Sequence, residues 1–453
     1  MATAAANRRA AAPDALLASE EVAGRGPVSV LEFAPPRAPS ALHGFRALRH
    51  HDFRLFYSGQ LVSLIGTWMQ DLAQSWLALV LTNSALALGL VGAVQFLPVL
   101  LFSTFGGTIA DRAPKRWVLV GTQSAQMVLA FVLAALTFTH VVTYVDVLIL
   151  ALLLGTASSV DMPTRQAFVV ELVGPKDLMN AIALNSSMFN AARLIGPSIA
   201  GLLIGIIGID GCFFLNGLSF SAVIVSLLLM HPPAPAARGR AAFQGIWEDL
   251  REGLRYVRQA PSVLAVIVLV GLLGTFGYNF NVVLPILARN VLVVGATGLG
   301  WLTGAMGLGS LVASLGVAYF GGQPRPRVIV GAAAAFSVLE IALAPVSSYA
   351  VALALLVVIG ASMVVVSAIA NTYVQSSVPH RLRGRVMSIY STVFVGTTPI
   401  GNTLAGAIAA TSGTFGPLLL GGLMSLVGAV VVGRWLWNAP VKLGVQRHER
   451  ARP

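Results

Sequence analysis

Apolar segments long enough to cross a lipid bilayer recur along almost the whole chain, and this feature restricts the possible folds more than any other. A bilayer core about 30 Å thick is crossed by about 20 helical residues, and a helix satisfies its own backbone polar groups there. Twelve segments have this length, and we number them span 1 to span 12 in chain order. They lie at 55–81, 86–110, 117–139, 143–163, 181–206, 211–230, 261–288, 297–320, 327–345, 349–371, 385–410 and 415–437. The sequence therefore predicts an all-α membrane protein.

Composition supports this prediction and excludes several classes of protein. The 453 residues are 56% hydrophobic and 10% charged, whereas soluble domains carry about 25% charged residues. A single cysteine, Cys212, excludes an internal disulfide and a cysteine metal cluster. The chain has no Gly-Lys-Ser/Thr phosphate loop, no His-Glu-x-x-His sequence and no nucleophile elbow. We therefore expect neither an enzyme nor an ATP-hydrolysing pump of that type, and no metal or other cofactor.

The spans divide into two sets of six. Residues 1–54 are rich in Ala, Pro and Arg and are predicted to be a disordered tail. Six spans occupy 55–230, a polar linker occupies 231–260, six further spans occupy 261–437, and 438–453 form a second tail. The two sets carry a related Pro-containing sequence, at Pro175 and at Pro379. Matching halves are typical of a transporter that binds its substrate between two pseudo-symmetric six-helix bundles.

Apolar residues recur at helical spacing within the linker, over 243–258, with charged residues on the opposite face. This pattern predicts an amphipathic helix that lies on the membrane surface and joins the two halves. A regulatory site on this helix is the alternative interpretation.

Basic residues lie almost entirely on one side of the predicted membrane. Of 29 Lys and Arg, 27 fall in the two tails or in the connections that follow even-numbered spans, and the exceptions are Arg193 and Arg289. Cytoplasmic segments are enriched in Lys and Arg, so both termini are predicted to be cytoplasmic. The formal net charge of +12 is thereby explained by topology, and we expect the lipid bilayer rather than nucleic acid to be the partner of these cations.

The connection after span 2 reads Gly106-Gly107-Thr108-Ile109-Ala110-Asp111-Arg112-Ala113-Pro114-Lys115-Arg116. It resembles the signature loop of the major facilitator superfamily, Gly-x-x-x-Asp-Arg-x-Gly-Arg-Arg, with Pro114 in place of the second glycine. The resemblance implies that Gly107, Asp111 and Arg112 close a cytoplasmic gate. A basic anchor at the anionic leaflet, without a gating role, is the alternative.

Span 5 contains Arg193-Leu194-Ile195-Gly196-Pro197-Ser198-Ile199-Ala200-Gly201. This sequence resembles the antiporter signature Gly-Pro-x-x-Gly-Gly of proton-coupled exporters, with Ala200 replacing one glycine. The resemblance assigns Gly196, Pro197 and Gly201 to a helix-packing motif, because small residues let membrane helices approach closely. A simple packing kink is the alternative.

Several further segments carry a more specific resemblance. They are Gly66-Thr67-Trp68-Met69-Gln70, Gln95-Phe96-Leu97-Pro98, Asn180-Ala181-Ile182-Ala183-Leu184-Asn185 and Arg383-Gly384-Arg385-Val386-Met387-Ser388. Together they resemble the enterobactin-exporter-like branch of the superfamily, the transmembrane secretion effectors, from about residue 45 to 437. The resemblance implies export of siderophores, antibiotics or other small molecules across the bacterial inner membrane. Span 4 lacks the arginine that many drug–proton antiporters carry, so proton coupling through that residue is not implied.

Polar residues within span 1 are candidates for the transport pathway. Thr67, Gln70, Asp71 and Gln74 have the spacing of one helical face, and charged side chains within the membrane cost about 2.5–3.5 kcal/mol on insertion scales. We expect Asp71, flanked by Gln70 and Gln74, to face the cavity and bind substrate or a proton. A structural hydrogen bond to a neighbouring helix is the alternative.

Span 5 carries Asn190 and Arg193 on one predicted face. A membrane-embedded arginine needs an anionic partner, which could be Asp71, Asp161 or an acidic substrate. We expect Asn190 and Arg193 to belong to the pathway, and a fixed structural ion pair is the alternative. Asp161 and Arg165, one helical turn apart in span 4, are predicted to form a pair at the cytoplasmic gate. Glu340 in span 9 is predicted to be structural or protonated.

These observations favour a secondary active transporter that exports a small molecule by alternating access in exchange for protons. We expect a monomer. An importer or facilitator on the same fold is the first alternative, and a membrane scaffold or receptor without transport is the second.

Overall fold

The computed structural model describes residues 46–231, 246–320, 324–379 and 381–438, and every regular element within these ranges is helical. Residues 1–45 of the predicted first tail (1–54), residues 439–453 of the second (438–453) and the linker residues 232–245 lie outside the described residues. A helix covers each of the twelve predicted spans, and ten helical segments of the described residues are long and apolar enough to cross a membrane. The twelve spans extend over His51–Thr82, Ala85–Arg112, Lys115–Phe138, Tyr144–Gly174, 176–207, 209–229, Pro261–Val291, Gly295–Phe320, Pro326–Leu343, Tyr349–Ser377, Arg383–Ser412 and Phe415–Asn438.

Spans 4, 5 and 6 follow one another with almost no connection, over Tyr144–Leu229. Two glycines separate them: Gly174 has φ 66° and ψ 178°, and Gly208 has φ 79° and ψ 175°. Side chains rarely adopt positive φ, so glycine permits these sharp turns. Each turn reverses the chain between adjacent spans.

Span 1 begins at His51, four residues before its predicted start. A short 3₁₀ turn over residues 46–49 precedes it. Ala47 in this turn is fully buried, and its backbone N–H donates to Asn180 Oδ1 at 2.8 Å. The turn therefore joins the start of span 1 to the start of span 5.

The linker contains the predicted helix, at Ile246–Gln259. Glu252 on this helix forms ion pairs with Arg381, at 3.2 Å, and with Arg385. The Tyr256 hydroxyl donates to the Ser377 carbonyl, and Val257 is buried. The helix thus packs on the second set of spans. The sequence predicts contact with the membrane surface but does not predict this packing.

We call the end of the bundle where span 1 begins the basic end and the opposite end the far end. Lys115 at the basic end pairs with Glu171 at 2.6 Å, and Arg116 donates to the Leu228 carbonyl. These bonds join span 3 to spans 4 and 6 at the basic end.

Glycines bring helices close together in the same way in both halves. A Cβ on Gly155 in span 4 would lie 2.0 Å from the Gln95 carbonyl oxygen of span 2. In the second half, a Cβ on Gly360 in span 10 would lie 1.9 Å from the Met306 carbonyl oxygen of span 8. Spans 2 and 4 therefore pack as spans 8 and 10 do, as the pseudo-symmetry of the two halves requires.

Candidate transport pathway

The two halves contact each other through two equivalent pairs of spans. Span 5 meets span 8 where a Cβ on Gly201 would lie 2.7 Å from the Gly300 Cα, and Thr297 Oγ1 donates to the Gly201 carbonyl at 2.8 Å. Span 2 meets span 11 where a Cβ on Gly89 would lie 2.3 Å from the Asn402 carbonyl oxygen. Both contacts lie toward the far end.

A third contact at the far end joins spans 1 and 7. The guanidinium of Arg289, near the end of span 7, donates a hydrogen bond to the Leu79 carbonyl of span 1. Toward the basic end, a Cβ added to Gly107, Gly316 or Gly384 would have no neighbour within 4 Å. The halves are therefore joined at the far end, and these three glycines make no close approach to another helix.

Asp71 is half-buried in span 1 and is bound to span 2. Gln95 Nε2 donates to Asp71 Oδ1 at 3.3 Å, and Gln74 Nε2 donates to Gln95 Oε1 at 3.3 Å. Within the described residues, no Lys or Arg lies within 4 Å of this carboxylate. Among the described side chains, the Asp71 carboxylate therefore receives a hydrogen bond from a neutral amide and forms no ion pair.

A cavity of about 40 Å³ lies beside Asp71, between the two halves. This volume accommodates a few water molecules, whereas sites for drug-sized ligands are roughly 300–1,000 Å³. The cavity therefore has room for water and a proton but not for a large substrate in this conformation. Spans 1, 5, 7 and 8 line it with Trp68, Asp71, Pro197, Asn281, Thr303 and Met306 among others.

The predicted polar face of span 1 is divided between two neighbours. Gln70 is 3% exposed and accepts a 2.7 Å hydrogen bond from Asn216 Nδ2 of span 6. Thr67 Oγ1 donates to the Ser63 carbonyl of its own helix. Gln70 therefore packs span 1 against span 6, and only Gln74 shares the network of Asp71.

Arg193 lies in span 5 at the interface between the halves. Its guanidinium is 5.6 Å from the centre of the Trp68 ring, within the range of a cation–π contact, and its Nη2 is 3.7 Å from Met363 Sδ of span 10. The Trp68 ring in turn packs edge-on against Phe189. No Asp or Glu side chain that the structure describes lies within 4 Å of Arg193. Asn190 donates to the Ser186 carbonyl of its own helix.

Asp161 forms a buried network within the first half. It is 1% exposed and accepts hydrogen bonds from Thr122 at 2.8 Å, Gln123 at 2.8 Å and Arg165 at 2.6 Å. Its oxygens are thus well satisfied, and the bonds join span 3 to span 4. This geometry supports packing within one half rather than a gate between the halves.

Of the predicted gate residues after span 2, Gly107 has open space beside it, while Asp111 and Arg112 end the helix with side chains outside the described part. The neighbouring Gly106 is the glycine at a close approach, since a Cβ there would lie 2.2 Å from the Ser159 carbonyl oxygen.

The predicted packing motif of span 5 contacts both halves. A Cβ on Gly196 would lie 2.6 Å from Trp68 Cβ of span 1. A Cβ on Gly300 of span 8 would lie 2.8 Å from the Pro197 carbonyl oxygen and 2.7 Å from the Gly201 Cα. The small residues therefore lie where span 5 approaches spans 1 and 8 most closely.

Span 7 is interrupted at its middle, a feature that the sequence analysis missed. A π-helical segment, Leu273–Gly277, precedes a break at Tyr278 and Asn279, and a second one, Leu287–Val291, follows the α-helix Phe280–Ile286 beyond the break. Such segments are frequent at functional sites. Gln95 was also missed as a partner of Asp71; its polarity within apolar span 2 was the available signal.

Comparison with known proteins identifies the family. The family model described as "Transmembrane secretion effector" matches residues 42–440. The multidrug efflux pump Tap of Mycolicibacterium fortuitum is 28% identical over 81% of this chain and 91% of its own. The enterobactin exporter EntS of Escherichia coli is 24% identical over 83% and 92%. A match to the staphyloferrin A transporter of Staphylococcus aureus, at 25% identity, covers 52% of this chain and 59% of that relative.

The solved structure of the nucleoside transporter NupG has a similar fold, with a TM-score of 0.68 at 12% sequence identity, covering 85% of this chain and 99% of that one. The predicted fold and the predicted resemblance are therefore confirmed. The chain belongs to the transmembrane secretion effector family and is a transporter of the major facilitator superfamily.

Proposed function

We propose that this transporter exports a small amphipathic molecule by alternating access, in exchange for protons. The observation that carries the proposal is the separation of Asp71 and Arg193. Both lie within spans beside the interface of the two halves, yet Asp71 is bound to Gln95 and Arg193 to Trp68 and Met363. Opposite charges in a medium of low polarity attract strongly, so their separation leaves each available to a transported species.

Asp71 is the proposed proton-binding group. It receives one amide hydrogen bond and no cation from the described residues, and an ionised carboxylate within a membrane is costly under those conditions. Its cavity of about 40 Å³ admits water. A proton can therefore reach this group while the far end is closed to larger molecules.

Arg193 is the proposed contact for substrate. The guanidinium offers several donors, and the nearby Trp68, Phe189 and Met363 offer aromatic and polarisable surface. This combination favours an amphipathic molecule with a carbonyl, hydroxyl or anionic group.

The contacts between the halves support loading from the basic end. Span 5 meets span 8 at the far end, whereas Ile182 and Phe189, nearer the basic end of span 5, are 48% and 44% exposed. The distribution of Lys and Arg favours the cytoplasm as the location of the basic end. We therefore propose that the conformation is inward-facing, in a bacterial inner membrane with both termini in the cytoplasm.

The first experiment expresses the full chain in a bacterial host that lacks its own efflux pumps. Tolerance is measured for erythromycin, tetracycline and ethidium, and enterobactin secretion is measured in parallel. The compound with the largest effect is then loaded into proteoliposomes under an imposed pH gradient. Proton-driven export is expected, with loss in Asp71→Asn and retention in the matched amide control Gln70→Asn, whose side chain packs against span 6 rather than in the network of Asp71.

Accumulation of the compound within the cells would instead favour the importer. Absence of any effect in cells together with absence of flux in proteoliposomes would favour the scaffold or receptor. Unchanged proton-driven export in Asp71→Asn would remove Asp71 from the mechanism.

A further inference from the structure

The second half contains a buried carboxyl group that the mechanism above does not use. Glu340 in span 9 is 3% exposed, and its Oε2 has no hydrogen-bond partner among the described residues. Buried polar groups are nearly always hydrogen-bonded, and an unpaired buried charge is far more costly than a neutral acid. The side chain is therefore best accommodated with a proton attached.

Span 12 is shaped to receive this carboxyl group. A Cβ on Gly421 would lie 3.0 Å from Glu340 Oε1 and 2.4 Å from the Phe276 carbonyl oxygen of span 7. Any larger residue at Gly421 would meet both atoms. The absence of a side chain at Gly421 thus leaves space for both the acid and the Phe276 carbonyl of the π-helical segment.

Two other buried hydroxyl groups nearby also lack hydrogen-bond partners. They are Ser425 Oγ, one helical turn from Gly421, and the Tyr278 hydroxyl. The Phe336 ring, one turn from Glu340, packs edge-on against Tyr278 at 5.2 Å, and both Ser425 and Phe336 lie against Gly277. Three incompletely bonded polar groups therefore surround one aromatic ring.

The break in span 7 places this cluster next to the transport pathway. Tyr278 is an electrostatic neighbour of both Glu340 and Arg193. On the other side of the break, Phe280 and Asn281 line the cavity of Asp71. The interrupted middle of span 7 therefore lies between a carboxyl group of the first half and a carboxyl group of the second.

We propose that Glu340 is a second proton-binding site of this transporter, in the C-terminal half, and that it exchanges its proton with the central cavity past Tyr278. The role in transport rests on the proton-coupled export proposed above, but proton binding itself does not. The break in span 7 supplies backbone groups that can change partners when the proton leaves.

Among the described residues, no Lys or Arg side chain lies within 4 Å of the Glu340 carboxyl group. Span 7 contributes Tyr278 and, near its far end, Arg289, which is bonded to Leu79. The titratable residues of span 10 are Tyr349 and Tyr373, near its two ends, and that of span 12 is Arg434, near the basic end. Tyr278 is thus a titratable neighbour that Glu340 shares with Arg193.

The test uses infrared difference spectroscopy of the purified full chain in lipid, in H₂O and in D₂O, between pH 5 and pH 10. A protonated carboxyl gives a C=O stretching band that shifts in D₂O and disappears on ionisation. We expect such a band in the wild type and its loss in Glu340→Gln, which keeps the size of the side chain. The matched control Glu171→Gln removes a carboxylate that is paired with Lys115 and should leave the band unchanged.

Two results would overturn the proposal. One is a spectrum of Glu340→Gln that is identical to the wild type. The other is a band that Glu340→Gln removes but that neither D₂O nor pH affects in the wild type, since this would identify a permanently neutral structural acid. Because no substrate is used, either result leaves proton-driven export through Asp71 to be decided by the transport assay.

Discussion

Gly201 of span 5 and Gly300 of span 8 approach so closely that a Cβ on the first would lie 2.7 Å from the Cα of the second. The obstructing atom belongs to the backbone, so a side chain at either position forces the helices apart. This contact joins the two halves at the far end. Its opening is therefore part of any conformation that exposes the pathway there.

Gly201→Ala is expected to shift the conformational equilibrium toward separation at the far end. Overpacking a close contact costs about 1–3 kcal/mol, which corresponds to roughly a 5- to 150-fold change in an equilibrium constant. Cys212 is the only cysteine, so Ser75→Cys beside the Asp71 cavity can be labelled selectively in a Cys212→Ala background. We expect faster labelling by a membrane-impermeant maleimide from the far side.

Gly205→Ala provides the matched control one turn away, because its Cβ would make only an ordinary contact, 3.6 Å from Thr297 Oγ1. Labelling of Ser75→Cys should be unaffected by it. Equal labelling rates in both alanine variants would show that the contact between Gly201 and Gly300 does not control opening.

Arg193→Gln is expected to lower export by at least tenfold while leaving thermal stability unchanged or higher. The guanidinium has no carboxylate within 4 Å in the described part of the chain, so removing its charge breaks no ion pair, and a charge within a span costs about 2.5–3.5 kcal/mol. Arg193→Lys keeps the charge but not the planar group that contacts Trp68, and should retain partial export. Normal export by Arg193→Gln would exclude Arg193 from substrate binding.

Asp161→Ala is expected to destabilise the fold. Removing one partner of a buried ion pair costs about 3–5 kcal/mol, and here it also leaves Gln123 and Thr122 without their shared acceptor. Thermal unfolding in detergent should show a lower midpoint temperature. Thr122→Val should lower it less, because the loss of one hydrogen bond reduces the free energy of unfolding by only about 1 kcal/mol. A variant that is as stable as the wild type but transports poorly would instead support the gate that the sequence predicts.

The fold was largely predictable because membrane spans are defined by local composition. Length and apolarity located all twelve, although Tyr144–Leu229 shows how little sequence separates three of them. The turns lie at Gly174 and Gly208. Because the chain contains 46 glycines, residue type alone does not indicate which of them form turns.

The candidate site was less predictable because helical spacing gives a face but not its neighbour. Gln70 and Gln74 are one turn apart, yet Gln70 bonds to Asn216 of span 6 and Gln74 to Gln95 of span 2. Likewise, the spacing of Asp161 and Arg165 predicts their pair, but it does not predict that Asp161 also binds span 3. Which span lies against each side chain is determined by packing across long distances in sequence.

The attachment of the turn before span 1 is expected to weaken in acid. Asp177 precedes the apolar segment 181–206 and so lies outside the part of span 5 that crosses the membrane. The His50 ring, by a hydrogen bond, and the Arg46 guanidinium hold the pKa of Asp177 below its ordinary value of 3.8. Because the pKa of Asp177 is lowered in the attached state, the carboxylate stabilises that state at pH values above its ordinary pKa. This contribution is lost as the pH falls through the lowered pKa. Hydrogen exchange of the Ala47 amide, corrected for the intrinsic rate, should therefore accelerate below about pH 4.

Asp177→Asn should show the faster exchange of Ala47 at neutral pH as well, because the amide is uncharged at both pH values. The amide of Ala87, which donates to the Ser84 hydroxyl at the start of span 2, has no titratable partner in that bond and is the internal control. Exchange of Ala47 that is independent of pH in the wild type, or unchanged by Asp177→Asn, would mean that the buried contacts of Ala47 and its bond to Asn180 hold the turn without the carboxylate.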